Sequence, residues 1–132
     1  MSSKGMEVMR LTAQFEIGSW NEQPFDEGAG LAKLTHAVVK KTYSGDLDAT
    51  SVTQWLMAYQ PDGTAAFVGI ERVRGAFGGK SGSLVLQHVG KYADGAATAT
   101  LTVLSGTGDL AEAAGTGDFR ADPAGSITLD LD

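Results

Sequence analysis

Apolar and polar residues alternate along most of this chain, and turn-forming residues break the alternation about every ten positions. Met9, Leu11, Ala13, Phe15 and Ile17 are apolar, while Arg10, Thr12, Gln14 and Glu16 between them are polar. That period of two places one face of a strand in a core and the other in water. Helical periodicity is almost absent. The pattern predicts strands over Met9–Ile17, Leu31–Tyr43, Ala49–Gln60, Thr64–Val73, Lys80–Tyr92, Ala96–Leu104, Asp118–Ala121 and Ser126–Leu131, with Ser19–Gly30 as a loop. The turns fall at Ser44-Gly45-Asp46, Pro61-Asp62-Gly63, Gly78-Gly79 and Asp94-Gly95, whose residues suit tight hairpins. The expected fold is all-β: an eight-stranded antiparallel β-barrel in a single domain over residues 9–132, after a flexible segment at 1–8. Closure removes the exposed edges of a sheet, and a barrel of about eight strands can hold one small ligand.

Turn lengths also sort the faces, because register decides which side chains share a side. The Asp94-Gly95 turn sets Leu86 opposite Val103 and His88 opposite Leu101. The face that carries Thr98, Thr100 and Thr102 is the wet one, so His88 is expected to point inward. The Gly78-Gly79 turn then places Glu71 beside Leu86 and Gly69 beside His88. The Pro61-Asp62-Gly63 turn, with a one-residue bulge, places Phe67 opposite Met57, Gly69 opposite Trp55 and Glu71 opposite Thr53. A two-residue turn at Ser44-Gly45 sets His36 opposite Thr53. The predicted interior therefore holds Glu71 and His88 as candidate catalytic residues. His36, Thr53, Trp55, Met57, Tyr59, Phe67, Leu86 and Leu101 are the candidate ligand-binding residues. A carboxyl in an apolar interior is expected to have a raised pKa, which suits proton transfer near neutral pH. The alternative is that Glu71 pairs with Arg72 or Arg74 at a strand end and that His88 is a satisfied core histidine. On this reading the other face of the second to fourth strands is also apolar, through Ala37, Val39, Val52, Leu56, Val68 and Ile70. Such a face on the outside of a barrel predicts a homo-oligomer, a dimer being favoured.

Composition trims the functional classes. The chain has sixteen Asp and Glu against ten Lys and Arg, a formal net charge of −6. An acidic surface repels phosphate backbones, so no nucleic-acid partner is expected. With no cysteine and two histidines far apart, no metal site is expected, and a thiol nucleophile is excluded. No apolar run approaches the roughly 20 residues of a membrane span. The N-terminal MSSKGMEV lacks the apolar stretch of a signal peptide, so a cytoplasmic protein without a membrane partner is expected. The repeated GTGD of Gly106–Asp109 and Gly115–Asp118 lacks the lysine and long following helix of a phosphate-binding loop. It reads instead as a barrel corner, with Asp109 capping a brief turn and Leu110 plugging one end.

Several stretches together resemble a family of small bacterial proteins of unknown function whose fold is similar to the allene oxide cyclase β-barrel. They are the SW-x-E-x-P-F of Ser19–Phe25, the YSGD of Tyr43–Asp46, the WLMAY of Trp55–Tyr59, the block from Phe67 to Gly90, and SGTGDLAEAAGTGDF. The resemblance runs from about Leu11 to Leu131. It implies an eight-stranded antiparallel barrel with an apolar cavity that works without cofactors. The residues of the cyclase cavity do not map onto this chain by motif. The expected function is a small-molecule-binding barrel, acting as a cofactor-independent cyclase or isomerase on an apolar metabolite in the lumen. The alternatives are a non-catalytic binder of a small hydrophobic ligand and a structural barrel with a filled lumen.

Overall fold

The computed structural model describes residues 8–132; the segment expected to be flexible lies, except for Val8, outside the described residues. Eight antiparallel strands form one closed barrel in sequence order. They are β1 (Met9–Asp26), β2 (Lys33–Gly45), β3 (Leu47–Tyr59), β4 (Ala65–Phe77), β5 (Lys80–Ala93), β6 (Ala96–Gly108), β7 (Gly115–Ala121) and β8 (Gly125–Leu131). Among the described residues, no helix is long and apolar enough to cross a membrane.

Three predicted registers are the ones observed. Glu71 pairs with Thr53 and Leu86, Gly69 with Trp55 and His88, and His88 with Leu101. The β2–β3 register differs. Its turn is centred on Asp46, so Tyr43 pairs with Ala49, His36 with Leu56, and Thr53 with Val39. A shift by an odd number of residues turns every β2 side chain to the other side of the sheet. Ala37 and Val39, expected outside, are buried in the lumen with Thr35, Lys41 and Tyr43. His36, expected inside, lies on the outer surface, where its Nε2 meets Gln54 Oε1 at 2.9 Å.

The stretch 19–26, expected to be a loop, continues β1. It pairs with β2 through two register shifts, one between Ile17 and Ser19 and one between Pro24 and Asp26. β8 pairs with β1 only as far as Phe15, so the rest of β1 rises along the rim of one barrel end. The first shift keeps Trp20 and Glu22 on the inner face, opposite the buried Val39 and Ala37.

The two ends differ. At the plugged end, Leu47, Phe77, Leu84, Leu110 and Leu131 are all buried. Leu110 sits in the turn between β6 and β7, and a Cβ on Gly106 would lie 2.1 Å from the Leu110 carbonyl oxygen. Asp109 does not cap this turn; its Oδ2 accepts the Ser81 N–H at 3.0 Å. The opposite end, the mouth, is ringed by Trp20, Glu22, Thr35, Tyr59 and Ala97.

Inside the barrel, three aromatic rings lie across glycines of neighbouring strands. Trp55, Phe67 and Phe15 are register partners of Gly69, Gly90 and Gly125. A Cβ on those glycines would fall 2.4 Å from Trp55 Cδ1, 2.6 Å from Phe67 Cζ and 2.4 Å from Phe15 Cε1. The rings are therefore held flat against the wall.

Candidate functional site

The deepest polar group in the lumen is Glu71, from the middle of β4, which is fully buried. Three residues of other strands converge on its carboxylate. Tyr43 Oη on β2 donates to Oε2 at 2.5 Å, and His88 Nε2 on β5 meets Oε1 at 2.8 Å. Lys41 Nζ on β2 lies 3.4 Å from Oε2. β2 delivers both Lys41 and Tyr43 because positions two apart on a strand share a face.

Burial alone pushes the Glu71 carboxyl up, but the Lys41 ammonium, the His88 hydrogen bond and charge, and the nearby Ser51 hydroxyl outweigh it and hold the pKa at about 2. The raised pKa expected from burial is thus overturned by a neighbour the mistaken β2 register had placed outside. Burial lowers the Lys41 pKa, and Glu71 opposes that shift. Burial and the adjacent anion raise the Tyr43 hydroxyl well above 10.0. Burial lowers His88 from 6.5, against the pull of Glu71.

An ionised carboxylate only accepts hydrogen bonds. Glu71 therefore holds His88 as the neutral tautomer with its proton on Nε2, and Nδ1 keeps a lone pair. Among the described residues, buried Nδ1 has no hydrogen-bond partner, nor do Thr53 Oγ1 and Trp55 Nε1. Ser51 Oγ faces the same carboxylate without a well-formed hydrogen bond.

Aromatic rings enclose this cluster. Lys41 Nζ lies 5.0, 5.0 and 4.8 Å from the ring centroids of Phe15, Trp55 and Phe119. His88 meets Trp55 and Phe119 edge-on at 5.7 and 5.5 Å. Trp55 separates this level from the mouth, where Trp20 packs on it at 5.5 Å. A second carboxylate, Glu22, stands at the mouth. Its Oε2 accepts Thr35 Oγ1 and Tyr59 Oη, each at 2.6 Å, and its Oε1 accepts Trp20 Nε1 at 2.9 Å. Burial raises its pKa, but hydrogen bonds from Thr35, Tyr59 and Trp20 prevail and leave it lowered. Tyr59 is pushed up to about 12 by burial and by Glu22.

Residues 11–132 match the family described as "Protein of unknown function (DUF3224)". The chain belongs to this family. A solved DUF3224 protein of unknown function from Shewanella oneidensis MR-1 is similar at 29% identity and a TM-score of 0.77, over 96% of this chain and 98% of that one. No curated protein matches the chain.

In this DUF3224 barrel the structure brings together most of the residues singled out from the sequence. Glu71, His88, Thr53, Trp55, Met57, Phe67, Leu86 and Leu101 all lie buried in the lumen. Tyr59 stands at the mouth, and His36 is outside. Lys41, Tyr43, Phe15 and Phe119 belong to the deep cluster and Trp20 and Glu22 to the mouth, none of them anticipated as site residues. A signal for Lys41 was present in β2 itself: Ala37, Val39 and Tyr43 are apolar at alternate positions, while His36, Lys40, Thr42 and Ser44 are polar. That alternation sets Lys41 on the apolar side.

Proposed function

We propose that this protein binds a small apolar molecule through the mouth of the barrel and moves a proton on it with His88, as a cofactor-independent isomerase or cyclase. The observation that carries this reading is the buried Glu71–His88 pair with Nδ1 free. A base needs a lone pair, a fixed tautomer and an environment that keeps it neutral. Glu71 supplies the tautomer, and burial the neutrality. Glu71 is thus a positioning residue, not the acid, and Lys41 and Tyr43 keep it ionised. The unpaired Trp55 N–H and Thr53 hydroxyl are donors suited to an oxygen on the bound molecule. Met57, Phe67 and Tyr59 confine its apolar part, which favours one folded shape over others.

Native mass spectrometry of the purified protein, with the bound molecule released and identified, is the first test. A bound small molecule is expected. With that molecule in hand, His88→Gln is expected to keep binding while turnover falls by roughly 10²–10⁴. Unchanged turnover sinks the base role, and binding without turnover in the unaltered protein leaves a non-catalytic binder. The reading of a structural barrel with a filled lumen is favoured by the three rings around Lys41. It expects no bound molecule, and no change in His88 nitrogen shifts on adding small apolar compounds.

A further inference from the structure

The outer surface of the barrel treats its cations in two ways. On the wall of β6, β7, β8 and β1 the outward arginines are paired, Arg10 with Asp130 at 2.7 Å and Arg120 with Asp122 at 2.8 Å. The wall of β2 to β5 carries a recess of ≈ 1050 Å³ instead, comparable to a small-molecule site of about 300–1,000 Å³. The exposed cations Lys40, Arg72 and Arg74 line it, and no Asp or Glu does, in a chain that carries sixteen. Among the described residues none of the three makes an ion pair. The carboxylates next in register, Glu16 beside Thr42 and Asp48 two positions before Thr50, lie outside the recess. Register gathers the cations. Lys40 and Arg72 are the partners of Val52 on its two sides, and Arg74 is the partner of Thr50. With strands about 4.8 Å apart and alternate residues about 6.7 Å apart, all three side chains reach a point above Thr50 and Val52. Like charges gathered without counter-ions repel one another, and a bound anion relieves that.

From that point the recess runs toward the mouth over Val52, Ile70, Leu56 and Val68, which are 40, 47, 52 and 50% exposed. Gln54, between Val52 and Leu56 on β3, has its amide oxygen engaged with His36 Nε2 at 2.9 Å. The aliphatic stretch from Val52 to Leu56 is ~13 Å long. We propose that this recess binds a free aliphatic carboxylate. Its head meets Lys40, Arg72 and Arg74, and its chain lies along the strands toward Leu56 and Val68. Charge and shape choose this occupant. Arginine forks match a carboxylate with two hydrogen bonds, and a concave site lined by cations alone concentrates anions even on an acidic protein. The head and chain positions lie side by side in one concave surface. A bilayer is flat and stacks its heads above its chains, so it does not fill such a recess, whereas a single molecule lying lengthwise does. The side chains concerned point away from the lumen, so this site is separate from the deep cluster and from the function proposed for it.

Isothermal titration calorimetry of the full chain with decanoate is expected to show one molecule bound per chain, and 1-decanol at least tenfold weaker. No saturable binding of decanoate, or equal binding of the alcohol, overturns the proposal. Arg72→Gln combined with Arg74→Gln is expected to weaken decanoate at least tenfold with an unchanged circular dichroism spectrum. An unaltered affinity places the molecule elsewhere, the lumen included, and overturns the assigned site. Ile70→Glu is expected to abolish binding; should it lose its fold, Leu56→Gln serves in its place, with a loss of about tenfold. Two other occupants of the wall are read in parallel. A protein that ignores decanoate but floats with phosphatidylglycerol vesicles assigns the wall to a bilayer. One that sediments at twice the 13.7 kDa chain mass, as a dimer that Ile70→Glu dissociates and decanoate does not, assigns it to a second copy. Either result overturns the proposal.

Discussion

Among the described residues, two carboxylates face the interior of this barrel, and they are held in opposite ways. Glu71 is sealed in the middle and is partnered by a cation, an imidazole and a tyrosine. Glu22 stands at the mouth, hydrogen-bonded by three neutral donors, with the Lys33 charge acting on it from nearby. Both end below the usual carboxylate range, for different reasons. At Glu22, where water still reaches the site, three hydrogen bonds and the Lys33 charge suffice. At Glu71 the full cost of burying an anion is offset chiefly by Lys41, buried with it, and further by His88 and Ser51. The difference teaches where rigidity is needed: the deep group fixes a proton on His88, whereas the mouth group ties the end of β1 to β2 and β3.

Breaking the deep partnership has the largest expected effect. Glu71→Gln leaves the Lys41 ammonium without its counter-charge and is expected to cost about 3–5 kcal/mol in urea unfolding. Adding Lys41→Met removes the stranded cation and is expected to recover at least half of that loss. A double variant as unstable as Glu71→Gln alone contradicts the pairing. The acid limb of stability reads the same group. Because the folded state holds Glu71 at about 2 against an ordinary 4.5, the unfolded state binds more protons between those values. The contribution is complete above about 4.5 and is lost as pH falls toward 2. His88, lowered from 6.5, adds a loss that begins below 6.5. Glu71→Gln is expected to flatten the lower limb of the pH–stability curve.

The partition between the two levels is the next target. Gly69→Ala drives a methyl into Trp55 and into the Gln54 carbonyl, 2.3 Å from the new carbon. It is expected to cost about 1–3 kcal/mol and to open Lys41 to water from the mouth. Reductive methylation followed by peptide mass spectrometry is expected to spare Lys41 in the unaltered protein and to modify it in the variant. Equal protection in both proteins contradicts the role of Trp55 as a partition. At the mouth, Glu22→Ala strands two hydroxyls and an indole N–H that remain near water, and is expected to cost about 1–2 kcal/mol. Tyr59→Phe removes one donor of three and is expected to cost about 0.5–1 kcal/mol. A mouth variant as damaging as Glu71→Gln removes the contrast between the two carboxylates.

The fold was legible because its turns are short and chemically distinct. Asp94-Gly95, Gly78-Gly79 and Pro61-Asp62-Gly63 each admit few loop geometries, so three registers and the inward direction of Glu71, His88 and Trp55 followed from them. The Ser44-Gly45-Asp46 corner was less constrained. Its loop is longer than a two-residue turn, and Asp46 is held from outside the hairpin, its N–H donating to the Thr12 carbonyl of β1. No reading of the hairpin alone contains that contact. One misplaced turn inverted β2, which lost Lys41 and Tyr43 from the site and admitted His36. The electrostatics went with them, since the charge state of Glu71 depends on which β2 residues face it. The rim segment 19–26 was hidden by Asn21 and Pro24, which suggest a loop although this edge of β1 has no β8 partner to disrupt.

The rings laid over glycines have a consequence for how the bore of this barrel changes. Trp55 and Gly69 form a matched set across two strands, as do Phe67 with Gly90 and Phe15 with Gly125. Enlarging one member requires trimming the other, so each set is a volume that can be handed from strand to strand without moving the backbone. Exchanging them, as in Trp55→Gly with Gly69→Phe, moves a ring from β3 to β4 while the wall stays closed. Relatives with a differently shaped lumen can be expected to differ at these couples rather than at single sites.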